Sequence, residues 1–271
     1  MISGGGLKSM IKNKTQTVLI TGASSGIGYE LAHVFAENNY NLILVARRID
    51  KLKEMKKYFN ENYNIEVEII EKDLMEPKSA EEVFYKIKNL GLNIDVLVNN
   101  AGAGDCGLFH KIDLKKHRDA IQLNIVTLTE LTRLVSEDMV KRKSGSILNI
   151  ASTGAYQPGP LISVYYATKA YVLSFSEAIY NELKPYNIKV TALCPGTTNT
   201  EFAKNSGKGE LKNVMSARVV AEIGYRALMK GKSVEVPGLL NKILVFVSKI
   251  TPRKLLASIV RKIQKKAIEM K

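Results

Sequence analysis

The sequence predicts an α/β fold in which a doubly wound parallel sheet of about seven strands carries helices on both faces. Short apolar runs rich in Val, Ile and Leu alternate along the chain with longer helix-forming segments. That alternation is typical of parallel sheets, whose strands are joined by crossover helices. Polar or glycine-containing turns follow several of the apolar runs, at the strand ends where such sheets bind ligands. We therefore expect one binding site along the carboxyl edge of the sheet.

Each predicted element follows from a local pattern of apolar residues. Apolar runs between polar turns predict strands at residues 17–21, 41–46, 65–70, 95–98, 146–151 and 188–193. Amphipathic spacing predicts helices after Gly28, at residues 50–62, 79–90 and 114–142, and between Pro160 and Pro185. These elements form one predicted domain, residues 15–236. A flexible lead-in, residues 1–14, precedes it, and a basic amphipathic helical extension, residues 237–271, follows it.

Composition limits the class of protein. With 271 residues, the chain is long enough to bury a sizeable core. Its two cysteines, Cys106 and Cys194, lack metal-ligand spacing and its three histidines are scattered, so we expect a reducing compartment and no metal. The first residues lack the long apolar core of a signal peptide, and we expect a cytoplasmic protein.

The net charge of +14 is concentrated in the C-terminal tail. Residues 230–271 hold eleven Lys or Arg and only two acids. After Pro252, helical spacing separates an apolar from a basic face, with Leu255, Leu256, Ile259, Val260, Ile263 and Ala267 against Lys262, Lys265 and Lys266. We favour packing on the domain or on another subunit, ahead of peripheral membrane contact through residues 238–271. Nucleic-acid binding is not expected, because no binding motif accompanies the charge.

The turn after the first predicted strand is rich in glycine, Gly22-Ala-Ser-Ser-Gly-Ile-Gly28, and leads into a helix. A strand, glycine turn and helix in this order point helix N-terminal amides at a phosphate. After the second strand the sequence reads Ala46-Arg47-Arg48, where a protein selecting NAD would place an acid for the ribose hydroxyl. Two guanidinium groups suit a 2′-phosphate, so we predict NADP(H) and consider NAD(H) less favoured. The alternative is a solvated arginine pair that opens the next helix.

Ser152, Tyr165 and Lys169 form the candidate reaction centre. Tyr165 and Lys169 are four residues apart on one predicted helix and therefore share a face. An ammonium beside a phenol should lower the phenol's pKa from about 10 and let it exchange a proton near neutral pH. Ser152, at the end of a predicted strand, could hydrogen-bond the same substrate oxygen. The pair alone is a weak pattern, since an ordinary helix with a surface lysine gives the same spacing.

The motifs taken together resemble those of the short-chain dehydrogenase/reductases over residues 15–236. The resemblance rests on residues 21–28, 99–102 and 195–200 together with Asn124, Ser152, Tyr165 and Lys169, in this order. It implies a single Rossmann domain and a nicotinamide cofactor. It also implies that Tyr165 is the acid/base, that Lys169 lowers its pKa and holds the nicotinamide ribose, that Ser152 polarises the carbonyl, and that Asn124 keeps a water in a proton relay.

The cofactor-binding residues follow from the glycine turn, from the arginine pair and from the same resemblance. They are Gly22, Ser24, Ser25, Gly26, Ile27, Gly28, Arg47, Arg48, Asp73, Leu74, Asn100, Ala101, Gly102, Tyr165, Lys169, Pro195, Gly196, Thr198 and Thr200. Asp73 and Asn100 are expected on the adenosine side, and residues 195–200 beside the nicotinamide. The short polar segment 197–216 would cover the substrate and suggests an open site.

The predicted function is interconversion of a carbonyl and a secondary alcohol by an NADP(H)-dependent oxidoreductase. The resemblance implies a simple ketone, a 3-oxoacyl thioester or a steroid-like ketone as the substrate. We also predict a homo-oligomer, a dimer or a tetramer, formed through the long helices around Asn124 and Tyr165. The alternative is a nucleotide-sensing or scaffold protein with a Rossmann core and an anchoring tail, although a pure sensor has no need of Ser152, Tyr165 and Lys169.

Overall fold

The computed structural model describes residues 15–201 and 214–269. The predicted lead-in, most of the predicted substrate-covering segment and the last two residues lie outside the described residues. Seven strands form one parallel sheet in the order β3-β2-β1-β4-β5-β6-β9. They are β1 (Thr17–Thr21), β2 (Asn41–Ala46), β3 (Val67–Glu71), β4 (Val96–Asn99), β5 (Gly145–Ile150), β6 (Ile188–Leu193) and β9 (Val234–Glu235). A separate pair joins β7 (Thr198–Asn199) to β8 (Met215–Ser216). The predicted fold class is confirmed.

The strand order reverses between β1 and β4. Strand β1 pairs with β2 from Thr17 opposite Asn41 to Thr21 opposite Val45, and on its other edge it pairs with β4. The chain therefore runs outward to β3 and then returns to the opposite side of β1. Open sheets of this kind bind ligands in the crevice beyond the strand ends at such a reversal. The glycine-rich turn follows β1 at this place.

Helices cover both faces of the sheet. They are α1 (Gly26–Glu37), α2 (Ile49–Asn62), α3 (Ser79–Asn89), α4 (Leu114–Ile121), α5 (Leu128–Arg142), α6 (Ser163–Leu183), α7 (Ala217–Met229), α8 (Leu239–Ile250) and α9 (Arg253–Glu269). The predicted helix 114–142 contains a π-helical turn, Gln122–Thr127, between α4 and α5. The apolar residues keep helical spacing within α4 and within α5, and the π-helical turn adds only one residue between them. The sequence therefore predicted one continuous helix.

The core consists of an apolar layer on each face of the sheet. Val18 and Ile20 of β1 pack with α1 and α2, whereas Leu19 between them packs with α3 and α5 on the opposite face. Successive strand residues point to opposite faces, and both faces are covered, so the strands read as continuous apolar runs. The two layers hold the strand ends, and hence the loops of the site, in fixed positions.

The C-terminal extension is helical, as predicted, and packs on the domain through one side of each helix. Helix α8 buries Val245 and Ser248, and α9 buries Leu256, Val260, Gln264 and Ala267. Of the apolar residues predicted on one face of α9, Leu255, Ile259 and Ile263 are exposed. Within the described ranges, no helix is both long and apolar enough to cross a bilayer.

Candidate active site

A cavity of about 520 Å³ lies at the carboxyl edge of the sheet, on loops that follow β1 to β6. This volume is within the range of cofactor and ligand pockets, about 300–1,000 Å³. Most predicted site residues line it, namely Gly22, Ser24, Ser25, Gly26, Ile27, Arg47, Arg48, Asp73, Leu74, Asn100, Ala101, Gly102, Ser152, Tyr165, Lys169, Pro195, Gly196, Thr198 and Thr200. The structure therefore brings together residues that are up to 178 positions apart in the sequence, between Gly22 and Thr200.

The glycine-rich turn has backbone conformations and close contacts that a residue with a side chain could not adopt without strain. Gly22 has a φ of +65°, and a Cβ there would lie 2.9 Å from the Cα of Ala101 in the loop after β4. Gly26 has a φ of +57° and begins α1, so the first amides of that helix belong to the cavity wall. A helix N-terminus of this kind binds anions, because its first amides lack helical partners.

Gly28 does not line the cavity, and its role in cofactor binding stays a prediction. A Cβ at this position would collide with the side chain of Asn100 and the carbonyl of Gly22. Its contribution is close packing of α1 against the turn. Thr21, which the prediction omitted from the binding residues, accepts hydrogen bonds from the amides of Asn100 and Ala101 at 3.0 and 3.1 Å. The Asn100 side chain returns bonds to the carbonyls of Thr21 and Gly22 at 3.0 and 3.1 Å, so it braces the turn.

One end of the cavity, called the cationic end, is lined by three cationic side chains, each of which is paired with an acid. Arg48 donates to the hydroxyl and carbonyl of Ser24 and forms an ion pair of 2.9 Å with Glu201. Arg47 lies 3.8 Å from the Asp73 carboxylate. Lys72, which was not predicted, also lines this end and pairs with two acids on the adjacent surface. Exposed ion pairs contribute about 0–1 kcal/mol, so an incoming phosphate can replace these partners at little cost.

The other end contains Ser152, Tyr165 and Lys169. The Ser152 hydroxyl accepts a hydrogen bond from the Gly154 amide at 3.0 Å and is itself hydrogen-bonded to Tyr165. Helix α6 carries Tyr165 and Lys169, as predicted. The Lys169 Nζ donates to the Ile150 carbonyl at 2.7 Å and lies 5.7 Å from the centroid of the Tyr165 ring.

Burial has the largest effect on the pKa values of Tyr165 and Lys169. It raises the pKa of Tyr165 above its usual value near 10, although the Ser152 hydrogen bond opposes the rise. It lowers the pKa of Lys169 to about 8, because the ammonium is removed from water. The net shift of the Tyr165 pKa is therefore upward, and the lowering of this pKa by Lys169 stays a prediction. The ammonium is held at the Ile150 carbonyl, and burial of the phenol has the larger effect.

Asn124 lies behind the cavity wall on the π-helical turn. Its amide nitrogen donates to the Ala103 carbonyl at 2.8 Å and to the Thr168 hydroxyl at 2.9 Å, and its oxygen accepts from the Ala103 amide at 2.9 Å. The side chain thus ties the loop after β4 to α6 near Lys169. Its role in a water relay remains a prediction. Thr168 was missed because a hydroxyl on a helix has no sequence signal of its own.

Tyr166 forms part of the cavity wall beside Tyr165, and the C-terminal helices contact this wall at Tyr166 and Gly196. Tyr166 lines the cavity, and its ring lies so close to Gly154 and Gly159 that a Cβ on either would collide with it. Its hydroxyl accepts a hydrogen bond of 3.0 Å from Gln264 of α9. On α8, Asn241 packs directly against Gly196. The sequence placed Tyr166 a quarter-turn from Tyr165, and it contained no signal that the tail reaches the site.

The fold and site define a class of nucleotide-dependent Rossmann proteins with a Ser-Tyr-Lys group in the cavity. The chain belongs to the short-chain dehydrogenase family, described as "short chain dehydrogenase", whose profile matches residues 16–211. The very-long-chain 3-oxoacyl-CoA reductase of Rattus norvegicus is 35% identical over 192 residues, which cover 69% of this chain and 60% of that protein. A Dictyostelium discoideum protein named dehydrogenase/reductase SDR family protein 7-like is 35% identical over 204 residues, covering 73% and 63%. The chain thus spans less than two thirds of these relatives.

Two solved structures have the same fold over most of their length. A short-chain dehydrogenase from Sphingobium yanoikuyae in complex with NADPH is 31% identical with a TM-score of 0.79, covering 88% of this chain and 97% of its own. The bulky-bulky ketone specific alcohol dehydrogenase from Comamonas testosteroni is 29% identical with a TM-score of 0.75, covering 88% and 95%. The predicted family membership is confirmed.

Proposed function

We propose that this protein is an NADP(H)-dependent oxidoreductase that interconverts a carbonyl and a secondary alcohol, with Tyr165 as the acid/base. One observation carries the proposal. Ser152, Tyr165 and Lys169 line the same cavity as the glycine-rich turn and the arginine pair. A proton donor and a dinucleotide-binding surface in one cavity are what a hydride-transferring enzyme needs.

The residues of the cavity fit a nicotinamide dinucleotide phosphate. Gly22 and Gly26 leave the close approach that a pyrophosphate requires, and no side chain could replace them without strain. Arg47 and Arg48 lie at the cationic end, where a 2′-phosphate would exchange for their exposed partners. Lys169, at the other end, would hold the nicotinamide ribose. The relative from Sphingobium yanoikuyae, whose structure contains NADPH, supports the choice of NADP(H) over NAD(H).

The protein's own residues would manage the proton. A bound nicotinamide supplies or accepts the hydride at the carbonyl carbon. In the reductive direction, Tyr165 holds its proton at neutral pH, because burial raises its pKa, and donates it to the substrate oxygen. The Ser152 hydroxyl accepts from the Gly154 amide and is hydrogen-bonded to Tyr165, so with a substrate bound it would donate its proton to the carbonyl oxygen beside Tyr165. Lys169, charged below about pH 8, would stabilise the phenolate that remains.

For the substrate we propose a 3-oxoacyl thioester, with other bulky ketones, including steroid-like ones, as alternatives. The support comes from relatives. The rat and Bos taurus proteins are named very-long-chain 3-oxoacyl-CoA reductases, and the Comamonas testosteroni enzyme is named for bulky-bulky ketones. Tyr166 adds an apolar ring to the wall beside Tyr165, which suits a substrate with a bulky apolar part.

The test is a parallel titration with NADPH and NADH, followed by cofactor oxidation against simple ketones, 3-oxoacyl thioesters and oxosteroids. We expect tighter binding of NADPH and turnover on the thioesters. In an Arg47→Ala/Arg48→Ala variant, NADPH affinity should fall while NADH affinity stays the same, which separates phosphate recognition from general damage. Tight NADPH binding without turnover on any class would favour a nucleotide-sensing protein. Failure to bind either nucleotide would refute the proposal.

We also propose that the enzyme is cytoplasmic and forms a homo-oligomer through the helices around Asn124 and Tyr165. Large apolar side chains are exposed on this side at Leu114, Ile121 and Tyr171. Light scattering of the purified chain gives the mass in solution, and a monomer at all concentrations would refute the oligomer.

A further inference from the structure

The outward face of α8 is apolar along its whole length. Val245 and Ser248 face the domain, whereas seven large side chains on the rest of the helix are exposed, namely Leu239, Leu240, Ile243, Leu244, Phe246, Val247 and Ile250. Leu239 is 75%, Phe246 64% and Ile250 67% exposed. Single exposed apolar residues are ordinary, but a contiguous apolar face on a folded protein marks an interaction surface.

The two lysines of α8 do not interrupt this face. At 100° per residue, Lys242 and Lys249 lie between the buried side and the apolar side. Lys242 pairs with Glu235 at 3.2 Å, and Lys249 lies 5.1 Å from the centroid of the Tyr156 ring. Both charges are therefore directed to partners in the domain. The outward side of α8 carries no charged residue.

Positive charge is concentrated on α9, the helix that follows the apolar face in the chain. Residues 238–269 contain eight Lys or Arg and one acid, Glu269. Six of the eight are exposed on α9, namely Arg253, Lys254, Arg261, Lys262, Lys265 and Lys266. The same helix exposes Leu255, Ile259 and Ile263. Apolar side chains bordered by basic ones are the composition of helices that lie in the headgroup region of anionic bilayers.

The positive charge of the C-terminal helices also indicates which kind of partner can bind the outward face of α8. A second copy placed face to face would bring two strongly basic surfaces together, and like charges across an interface disfavour association. A basic protein partner is disfavoured for the same reason. An anionic lipid surface offers apolar depth for α8 and negative headgroups for α9 at once.

We propose that the C-terminal helices dock this protein on an anionic lipid bilayer, with the outward face of α8 inserted among the headgroups. The contact is peripheral, as α8 is far too short to span a bilayer. Helix α8 packs against Gly196 at the rim of the cavity, and Lys249 lies over Tyr156 in the turn after Ser152. Docking would therefore hold the cavity rim beside the lipid surface. The inference does not depend on which reaction the cavity performs.

The test is co-sedimentation of the full chain with vesicles of phosphatidylcholine alone or of an equimolar mixture with phosphatidylglycerol. We expect binding to the mixture, and at least about tenfold weaker partitioning after Ile243→Gln/Phe246→Gln, because two inserted apolar side chains are lost. Leu90→Gln/Phe109→Gln is the matched control, since these residues are exposed to the same extents, 50% and 64%, elsewhere on the surface. It should bind like the wild type.

Two further measurements, together with the outcomes of the first assay, decide the proposal. Lys262→Glu/Lys265→Glu should weaken binding to the mixture, and equal wild-type binding to both vesicle types would overturn the requirement for anionic lipid. Absence of wild-type binding, or full binding by Ile243→Gln/Phe246→Gln, would overturn docking through α8. Light scattering without vesicles supplies the last check. A wild-type dimer that this variant converts to a monomer would show that a second copy covers α8, and the proposal would be wrong.

Discussion

Tyr165 carries the proton in the proposed reaction, so its hydroxyl is the first group to remove. In Tyr165→Phe the ring still fills its place on α6, and NADPH affinity should change by less than about threefold. Turnover should fall by about 10²–10⁴-fold, the usual contribution of a positioned acid/base. Stopped-flow binding and steady-state assays on the same preparation measure both quantities. Turnover like that of the wild type would falsify the assignment of Tyr165 as the acid/base.

Lys169 gives the cofactor site a pH dependence. Its pKa is lowered by burial to about 8, so the side chain is an ammonium below that pH and loses its charge above it. If the ammonium holds the cofactor, the Kd for NADPH should rise as the pH passes from about 7 to about 9. A titration series by fluorescence over this range checks the direction.

The matched variant for this prediction is Lys169→Met. Its NADPH affinity should be weaker than that of the wild type at pH 7 and nearly independent of pH. A wild-type Kd that stays flat from neutral to alkaline pH would contradict the role of the ammonium. An equal rise in both proteins would show that another group titrates.

Residues with a local motif could be predicted from the sequence, and residues placed only by the fold could not. Gly22 and Tyr165 lie in sequence patterns whose spacing indicates what each residue does, and both line the cavity. Lys72 and Tyr166 look like an ordinary surface lysine and an ordinary helical tyrosine. Their proximity to the site depends on which strands are neighbours and on how α6 is rotated. The pKa of Tyr165 also depends on burial, and the spacing between Tyr165 and Lys169 gives no information about how deeply either side chain is buried.

Helix α9 reaches the site through one hydrogen bond, from Gln264 to the hydroxyl of Tyr166. Gln264→Leu removes the donor but keeps a buried side chain of similar size. A hydrogen bond contributes about 0.5–1.5 kcal/mol, so KM for the carbonyl substrate should change by less than about tenfold. The Kd for NADPH should stay the same, since the cofactor end of the cavity is not touched. Steady-state kinetics with saturating NADPH measure the effect.

The control for this pair is a double-mutant cycle. Tyr166→Phe should have the same effect on KM as Gln264→Leu, and the double variant should be no worse than either single one. Additive effects would show that the two side chains act separately. The Gln264 Oε1 is buried without a hydrogen-bond partner among the described residues, so Gln264→Leu should not lower the unfolding temperature.

Elements that bury a regular face were predictable, and elements defined by distant contacts were not. The strands β1 to β6 each leave an apolar run, and their predicted bounds lie within two residues of the observed ones. Strand β9 has two residues, and it exists because it pairs with Ala192 and Leu193 of β6. The π-helical turn also lacks a periodic signal. Its effect is to direct Asn124 toward Ala103 and Thr168.

The C-terminal extension contributes to the stability of the whole molecule as well as providing an exposed apolar surface. Val245, Leu256 and Val260 are buried against the domain, and burying each such side chain contributes about 1.5–3 kcal/mol. A chain that ends at residue 237 should therefore lose on the order of 5 kcal/mol, a large part of the usual stability of 5–15 kcal/mol. It should also lose the hydrogen bond from Gln264 to Tyr166 in the cavity wall. We expect it to unfold at a much lower temperature or to be insoluble.

Substitutions on the exposed face of α8 serve as the control for the effect of truncation on the unfolding temperature. Ile243→Gln/Phe246→Gln alters only exposed side chains, so its unfolding temperature should match that of the wild type, while truncation lowers it. Thermal unfolding of the three proteins, followed by circular dichroism, separates the buried role of the extension from its lipid-facing one. If the truncated chain unfolds at the wild-type temperature, the extension is an independent appendage and its buried contacts contribute little. If the α8 variant is destabilised as well, the outward face is covered in solution, and the lipid surface is not its partner.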